Sequence, residues 1–225
     1  TGLTKEQFIK ELNDIGMVVA SQTDNLVPLD KVVYALRDVS GTTESIPLIA
    51  VSIMSKKIAS GADKILIDIK VGKGALLKTM KDARNLKDIM IRIGARYNKE
   101  VRCLISEMDN PLGLCVGNSL EVAEAVELLD GKVKNNLYDL CVDIASNMVS
   151  MALGCSMIKA RKAVIDSIES KKAYNKLLEF VNYQHGNLDK MKISKSKIEV
   201  QSSRSGVVKS IDAHKISEIS CLLGS

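Results

Sequence analysis

The stretch from residue 64 to residue 106 constrains the fold more than any other part of this sequence. An apolar run at 64–70, KILIDIK, predicts a buried strand, and the glycine-rich turn VGKGA follows it directly. A helical pattern then covers about 79–96, and a second apolar run at 101–106 predicts another strand. Two strands joined by such a helix run parallel, because the connection has to cross over the sheet. The stretch therefore predicts an α/β fold.

Outside this stretch, most of the sequence has helical periodicity. Thr4 and Gln7 have the spacing of a capping box, which predicts an amphipathic helix reaching about Asn13. We expect further helices at about 30–38, 45–61, 118–129, 136–153, 157–170 and 172–183, and a last one at the C-terminal end. Apolar runs also predict a short strand at 17–20 and two more within 198–211.

Composition narrows the classes of partner. The 225 residues are 46% hydrophobic and 26% charged, as in ordinary globular domains. With no Trp, five Tyr, two Phe and a net charge of only +5, the chain lacks the stacked aromatics and concentrated charge that bind nucleic acid. The longest apolar run, at 46–54, is too short to span a bilayer. We therefore expect neither nucleic acid nor membrane as a partner, and the modest positive charge suits an anionic small molecule.

The five cysteines are scattered and form no C-x-x-C pair. This pattern favours reduced thiols rather than zinc ligands or disulfides, and it predicts a cytoplasmic location. The sequence begins with Thr1 rather than Met, so we expect a piece of a longer protein.

Three side chains within 34–57, those of Arg37, Ser52 and Lys56, are spaced so that they could bind one ligand. Ser52 and Lys56 are four residues apart on a predicted helix and lie on one face of it, while Arg37 precedes the turn that leads into that helix. A guanidinium, a hydroxyl and an ammonium directed at one cleft could hold a planar ligand that gains negative charge. Taken singly, each residue is more typical of a solvent-exposed helix surface.

Longer motifs give these residues a context. Three motifs follow one another along the chain in this order: YALRDVSGTTESIPLIAVSIMSKKIASGADKILIDIKVGKGALLKT, DNPLGLCVGNSLEVAEAVE and SRSGVVKSIDA. Together they resemble the pyrimidine-nucleoside and thymidine phosphorylases over essentially the whole chain, which corresponds to the central half of a family member. By the same resemblance, the N-terminal phosphate loop and most of the C-terminal subdomain lie outside this sequence.

The resemblance implies a homodimer of two-lobed subunits, with the active site between the lobes. It assigns 28–60 to part of a small all-helical lobe that carries the base-binding helices. Residues 1–27 and 61–197 then belong to a large α/β lobe, whose parallel or mixed sheet is flanked by helices. Residues 198–225 begin the C-terminal subdomain.

The resemblance also implies a reaction: reversible phosphorolysis of uridine- or thymidine-type nucleosides to the free base and α-D-(deoxy)ribose 1-phosphate. Arg37, Ser52 and Lys56 would bind the pyrimidine base. Tyr34, Ile49 and Leu76 would shape its pocket, with Leu76 in place of the usual Phe. The resemblance places no phosphate-binding residue in this chain.

The family implies no organic cofactor but a possible potassium ion. Its ligands would be the backbone carbonyls of Leu112 and Cys115 and the carboxylate of Glu124. The turn VGKGA invites a different assignment, as a phosphate loop, but a lone G-x-G is a weak signal. Lys73 in that turn is more typical of an exposed turn residue.

Two other functions stay open on the sequence alone. One is a catalytically silent nucleoside-binding or dimerisation fragment, and the other is a phosphorylase of nucleoside 5′-monophosphates. We expect these 225 residues by themselves to have little or no phosphorolysis activity, because the phosphate site lies outside them.

Overall fold

A computed structural model describes residues 2–21, 28–194 and 196–224 of the chain, without the side chains of Lys31 and Asp38. In chain order, the described elements are α1 Lys5–Ile15, α2 Pro28–Ser40, α3 Ile46–Ala59, β1 Lys64–Val71, α4 Met80–Arg96, β2 Glu100–Glu107, α5 Asn118–Leu129, α6 Asn136–Leu153, α7 Met157–Glu169, α8 Lys172–Tyr183, a 3₁₀ turn at Leu188–Lys190, and α9 Ala213–Leu222. The α/β class predicted from sequence is confirmed.

The sheet of the described chain consists of β1 and β2, which pair in parallel from Lys64 opposite Glu100 to Val71 opposite Glu107. Helix α4 connects them and begins at Thr79, whose side chain accepts a hydrogen bond from the backbone of Asp82. A methyl group on Gly94 would lie 2.2 Å from a methyl group of Val101, so only glycine lets α4 approach β2 this closely. The predicted parallel crossover is therefore confirmed.

Two apolar clusters hold the helices in place. In the first, α3, β1 and α4 share one core, whose buried members include Ala50, Met54, Ile65 and Met90. In the second, the end of α5 packs with α6 and α7. Because α3 belongs to the first cluster, the helix carrying Ser52 and Lys56 is fixed against the sheet. The lobe boundary expected after residue 60 stays a prediction.

Several local expectations are confirmed and two are wrong. Thr4 and Gln7 form the complete capping box at the start of α1. Residues 17–20 and 198–211, however, form no strands. A strand needs a partner for its backbone groups, and within the described residues β1 and β2 pair with each other, apart from an isolated bridge between Val71 and Leu77. Apolar composition alone misled the prediction at 198–211, where Ile198, Val200 and Val207 are each more than nine-tenths exposed.

Within the described residues, no single helix is both long enough and apolar enough to cross a membrane. Helices α6 and α7 meet the length and composition criteria only when taken together, as a pair bent by 118°.

Candidate functional site

Helices α2 and α3 bring the predicted base-binding residues together. Asp30 lies in the first turn of α2 and Arg37 in its last turn. Gly41 takes a left-handed backbone conformation, with φ of 67°, just after α2, and Ser45 precedes α3, which has Pro47 in its first turn. Since Asp30 at the start of α2 contacts Ser52 and Lys56 in the second half of α3, the two helices lie side by side.

The centre of this arrangement is the Asp30 carboxylate, which is only 8% exposed. One of its oxygens, Oδ2, accepts a hydrogen bond from Ser52 Oγ at 3.1 Å and lies 2.9 Å from Lys56 Nζ. Burial raises the pKa of Asp30, but the hydrogen bonds from Lys56 and Ser52 outweigh burial and hold that pKa below its usual value. Asp30 is therefore ionised at neutral pH and acts only as a hydrogen-bond acceptor.

Arg37 lies at the same site and is 4% exposed. Its guanidinium donates to the backbone carbonyl of Thr43 and lies over the ring of Tyr34, 5.1 Å from the ring centroid. Its charge also helps to lower the pKa of Asp30. The Nε–H is buried and has no hydrogen-bond partner within the described chain. Leaving such a donor unsatisfied costs about 1–3 kcal/mol.

The three predicted pocket residues lie in different environments. Tyr34 is half exposed beside Arg37, whereas Ile49 is 6% exposed and packs into the core formed by α3, β1 and α4. Leu76 is 53% exposed in the turn after β1. Tyr34 and Leu76 are thus accessible from solvent, while Ile49 mainly supports α3. Contact of all three with a base stays a prediction.

The predicted cation site is built around Glu124 of α5, which is 5% exposed. Its Oε1 accepts hydrogen bonds from the Leu114 N–H at 2.8 Å and from Asn135 Nδ2 at 3.0 Å, and its Oε2 accepts one from the Cys115 N–H at 3.1 Å. A carboxylate has about four acceptor positions, so roughly one remains. Leu112 and Cys115 lie in the loop that these hydrogen bonds attach to Glu124.

No group of three His, Cys, Asp or Glu side chains capable of holding a metal exists in the part of the chain that the structure describes. A potassium ion bound mainly by backbone carbonyls would not need such a group. The roles of Leu112, Cys115 and Glu124 as ligands therefore stay predictions.

The turn VGKGA does not offer its backbone to an anion. The Lys73 N–H donates to Asp109 Oδ1 at 2.8 Å, and the Gly74 N–H donates to the carbonyl of Met108 at 2.9 Å. Gly72 is packed so closely that a methyl group there would lie 2.7 Å from the same Asp109 oxygen. Lys73 itself is exposed. These contacts favour the interpretation of Lys73 as an exposed turn residue.

Sequence reasoning missed Asp30. It treated this residue only as the beginning of a helix, where acidic residues are common because they interact with the helix dipole. Asp30 is 22 residues from Ser52, a separation at which no helical or strand periodicity applies. A chemical argument could have found it. Two cations and a hydroxyl predicted at one site indicate a nearby anion, because buried charges are paired.

Comparison with known proteins agrees with the fold. Residues 1–174 match the model of the glycosyl transferase family a/b domain. The chain therefore belongs to this family.

The relatives named individually are more specific. The chain is 41% identical to the pyrimidine-nucleoside phosphorylases of Staphylococcus epidermidis and of Bacillus subtilis, in each case over 99% of this chain and 53% of the relative. The corresponding Staphylococcus aureus protein is 40% identical over 97% of this chain. The resemblance predicted from the motifs is confirmed. The chain spans about half the length of the curated relatives it matches.

Proposed function

We propose that the protein containing these residues is a pyrimidine-nucleoside phosphorylase, a pentosyltransferase. Phosphate attacks C1′ of a uridine- or thymidine-type nucleoside, the bond from C1′ to N1 of the base breaks, and its electron pair leaves with the base. The products are the free base and α-D-(deoxy)ribose 1-phosphate, and the reaction is reversible. The relatives, which carry this name at 41% identity, support the proposal.

The observation that carries the proposal is the convergence of Arg37, Ser52 and Lys56 on the buried Asp30. Lys56 contacts the carboxylate and Arg37 acts on it electrostatically, so two described cations accompany one described anion beside a hydroxyl. Negative charge develops on the base only as the glycosidic bond breaks. Donors directed at the base therefore stabilise the transition state more than the neutral nucleoside, and this difference lowers the barrier.

We place the phosphate site outside these 225 residues. In support, the N–H groups of Lys73 and Gly74 in the glycine-rich turn are already bonded within the chain. A two-part site of this kind needs both parts for phosphorolysis, so the 225-residue chain alone should release little or no base.

The test is an assay of the complete protein with uridine, thymidine and AMP, each with and without phosphate, following release of the base by chromatography. We expect phosphate-dependent release of uracil or thymine, with the 225-residue chain as the inactive control. Release of adenine from AMP alone would favour the nucleotide phosphorylase instead. No release from any substrate would favour the catalytically silent alternative.

We also propose that potassium binds at Glu124 with the carbonyls of Leu112 and Cys115. Three hydrogen bonds leave the Glu124 carboxylate about one free acceptor position. That position supports the binding of a single, weakly held ion. Glu124→Gln should abolish stimulation of the complete protein by potassium. Glu121→Gln, an exposed position on the same helix whose side chain accepts from Gly117, is the matched control. Equal stimulation of both variants would rule out this site.

A homodimer, which the resemblance implies, and a cytoplasmic location, which the scattered cysteines predict, complete the proposal. Light scattering on the complete protein would test the first, and a monomeric mass would contradict it.

A further inference from the structure

The hydrogen bond between Ser52 and Asp30 has a direction. A serine hydroxyl has one proton to donate and lone pairs that accept, whereas an ionised carboxylate can only accept. Since Asp30 is ionised and its Oδ2 lies 3.1 Å from Ser52 Oγ, the Ser52 proton is committed to Asp30. The oxygen of Ser52 is thereby left to accept a hydrogen bond from whatever enters the site.

The other two side chains have the opposite character. Lys56 has three N–H donors, and only one of them is needed for the contact with Asp30 at 2.9 Å. Arg37 has only donors, and its buried Nε–H has no partner within the described chain. The site therefore combines two donor groups with the Ser52 hydroxyl, which presents only its accepting lone pairs to a ligand while Asp30 holds its proton.

This pattern distinguishes one pyrimidine from another. Uracil and thymine present two carbonyl acceptors on either side of the N3–H donor. Cytosine presents an amino donor and an unprotonated N3, so it would place a donor against the cations and an acceptor against Ser52. Unmatched buried polar groups are the most effective means of rejecting a close analogue.

We propose that Asp30 is a specificity-determining positioning residue, which fixes the Ser52 hydroxyl as an acceptor so that the site takes a pyrimidine with an N3–H donor and rejects cytosine. This inference rests on the proposed phosphorylase function. Asp30 acts through Ser52 and need not touch the substrate. Its burial at 8% exposure and its hydrogen bond from α2 across to α3 keep the proton of Ser52 in one orientation.

The test is Asp30→Asn in the complete protein, with kcat/KM measured for uridine and cytidine. The asparagine amide can donate to Ser52, which frees the hydroxyl proton to meet N3 of cytosine. We expect the preference for uridine over cytidine to fall by roughly tenfold or more, the scale of one mispaired buried hydrogen bond. Asp63→Asn, which alters an exposed ion pair with Lys99 away from the site, should leave the preference unchanged.

Two further variants separate this role from a merely structural one. Asp30→Glu retains an ionised acceptor and should keep most of the preference. Ser52→Ala should itself lower the preference, and Asp30→Asn should then lower it no further, because both changes remove the same acceptor. If Asp30→Asn slows both substrates equally, or if Ser52→Ala leaves the preference intact, the proposal is overturned.

A binding measurement distinguishes failure of this inference from failure of the proposed function. If the unaltered complete protein shows no phosphorolysis at all, the proposed function fails. Calorimetry with uracil and cytosine then tests the inference directly. Tighter binding of uracil that Asp30→Asn abolishes supports it, and equal or absent binding of the two bases overturns it.

Discussion

Asp30 and Glu124 are both carboxylates buried within the fold, at 8% and 5% exposure, but they are held by different kinds of partner. Asp30 is held by side chains: a hydroxyl, an ammonium and the nearby guanidinium of Arg37. Glu124 is held by two backbone N–H groups of the loop before α5 and by the amide of Asn135. The first set consists of side chains from two helices, whereas the backbone N–H groups of the second set are fixed by the fold of the loop.

The difference indicates how each carboxylate is used. A carboxylate facing cations balances their charge and fixes the direction in which a neighbouring hydroxyl donates its proton. A carboxylate satisfied by backbone N–H groups stabilises a loop conformation and can present its remaining acceptor position to a cation. We therefore expect changes around Asp30 to alter kinetics and specificity, and changes around Glu124 to alter stability first.

The largest expected effect is at Lys56. Under the proposed function Lys56→Ala removes an ammonium that faces the developing charge, so kcat of the complete protein should fall by about 10²–10³-fold, the usual cost of losing one such donor. Lys57→Ala changes the exposed neighbouring lysine and should have little effect. Steady-state kinetics would decide, and unchanged kcat and KM for Lys56→Ala would remove this residue from the site.

The next effect is at Gly113, on the Glu124 side of the comparison. A methyl group at this position would lie 2.2 Å from Glu124 Oε2, so Gly113→Ala has to displace the carboxylate from the N–H groups it satisfies. We expect the free energy of unfolding to fall by about 1–3 kcal/mol, measured by urea denaturation.

The control for that variant is Gly206→Ala, because a methyl group there would meet no atom within 4 Å. Its free energy of unfolding should change by less than about 0.5 kcal/mol. Equal effects of the two substitutions would show that displacement of Glu124 is not the cause.

A smaller effect concerns pH. The pKa of Asp30 is held below the ordinary value of 3.8, so the folded state binds this proton less readily than the unfolded chain does. The stabilisation from this difference is complete above the pKa of Asp30 in the unfolded chain. It is lost as the pH falls through the pKa of Asp30 in the folded state. We expect the unaltered protein to exceed Asp30→Asn by about 1 kcal/mol in free energy of unfolding at neutral pH. This difference should shrink below pH 3.8 in urea titrations, and a difference independent of pH would contradict the assignment.

The smallest effect is expected at Lys73. Its side chain is exposed and its N–H is bonded to Asp109, so Lys73→Ala should leave phosphorolysis within about twofold of the unaltered rate. A much larger loss, together with a raised KM for phosphate, would assign the turn VGKGA to the phosphate site.

Local patterns predicted much of the fold. The crossover from β1 through α4 to β2 and the capping box at Thr4 were readable because periodicity and capping depend on neighbours along the chain. The strands expected at 17–20 and 198–211 failed for the opposite reason. An apolar run becomes a strand only when another strand pairs with it, and no local pattern specifies that partner.

The candidate site divides in the same way. Helical spacing by itself determined that Ser52 and Lys56 share a face of α3, because residues four apart on a helix lie one above the other. Only the tertiary structure decided that Asp30, 22 residues before Ser52, meets that face and accepts the hydrogen bond of the Ser52 hydroxyl. The spacing of Ser52 and Lys56 is a property of one helix. The contact between Asp30 and Ser52 depends instead on how α2 lies beside α3, and the apolar residues of α3 are fixed in the core that it shares with β1 and α4.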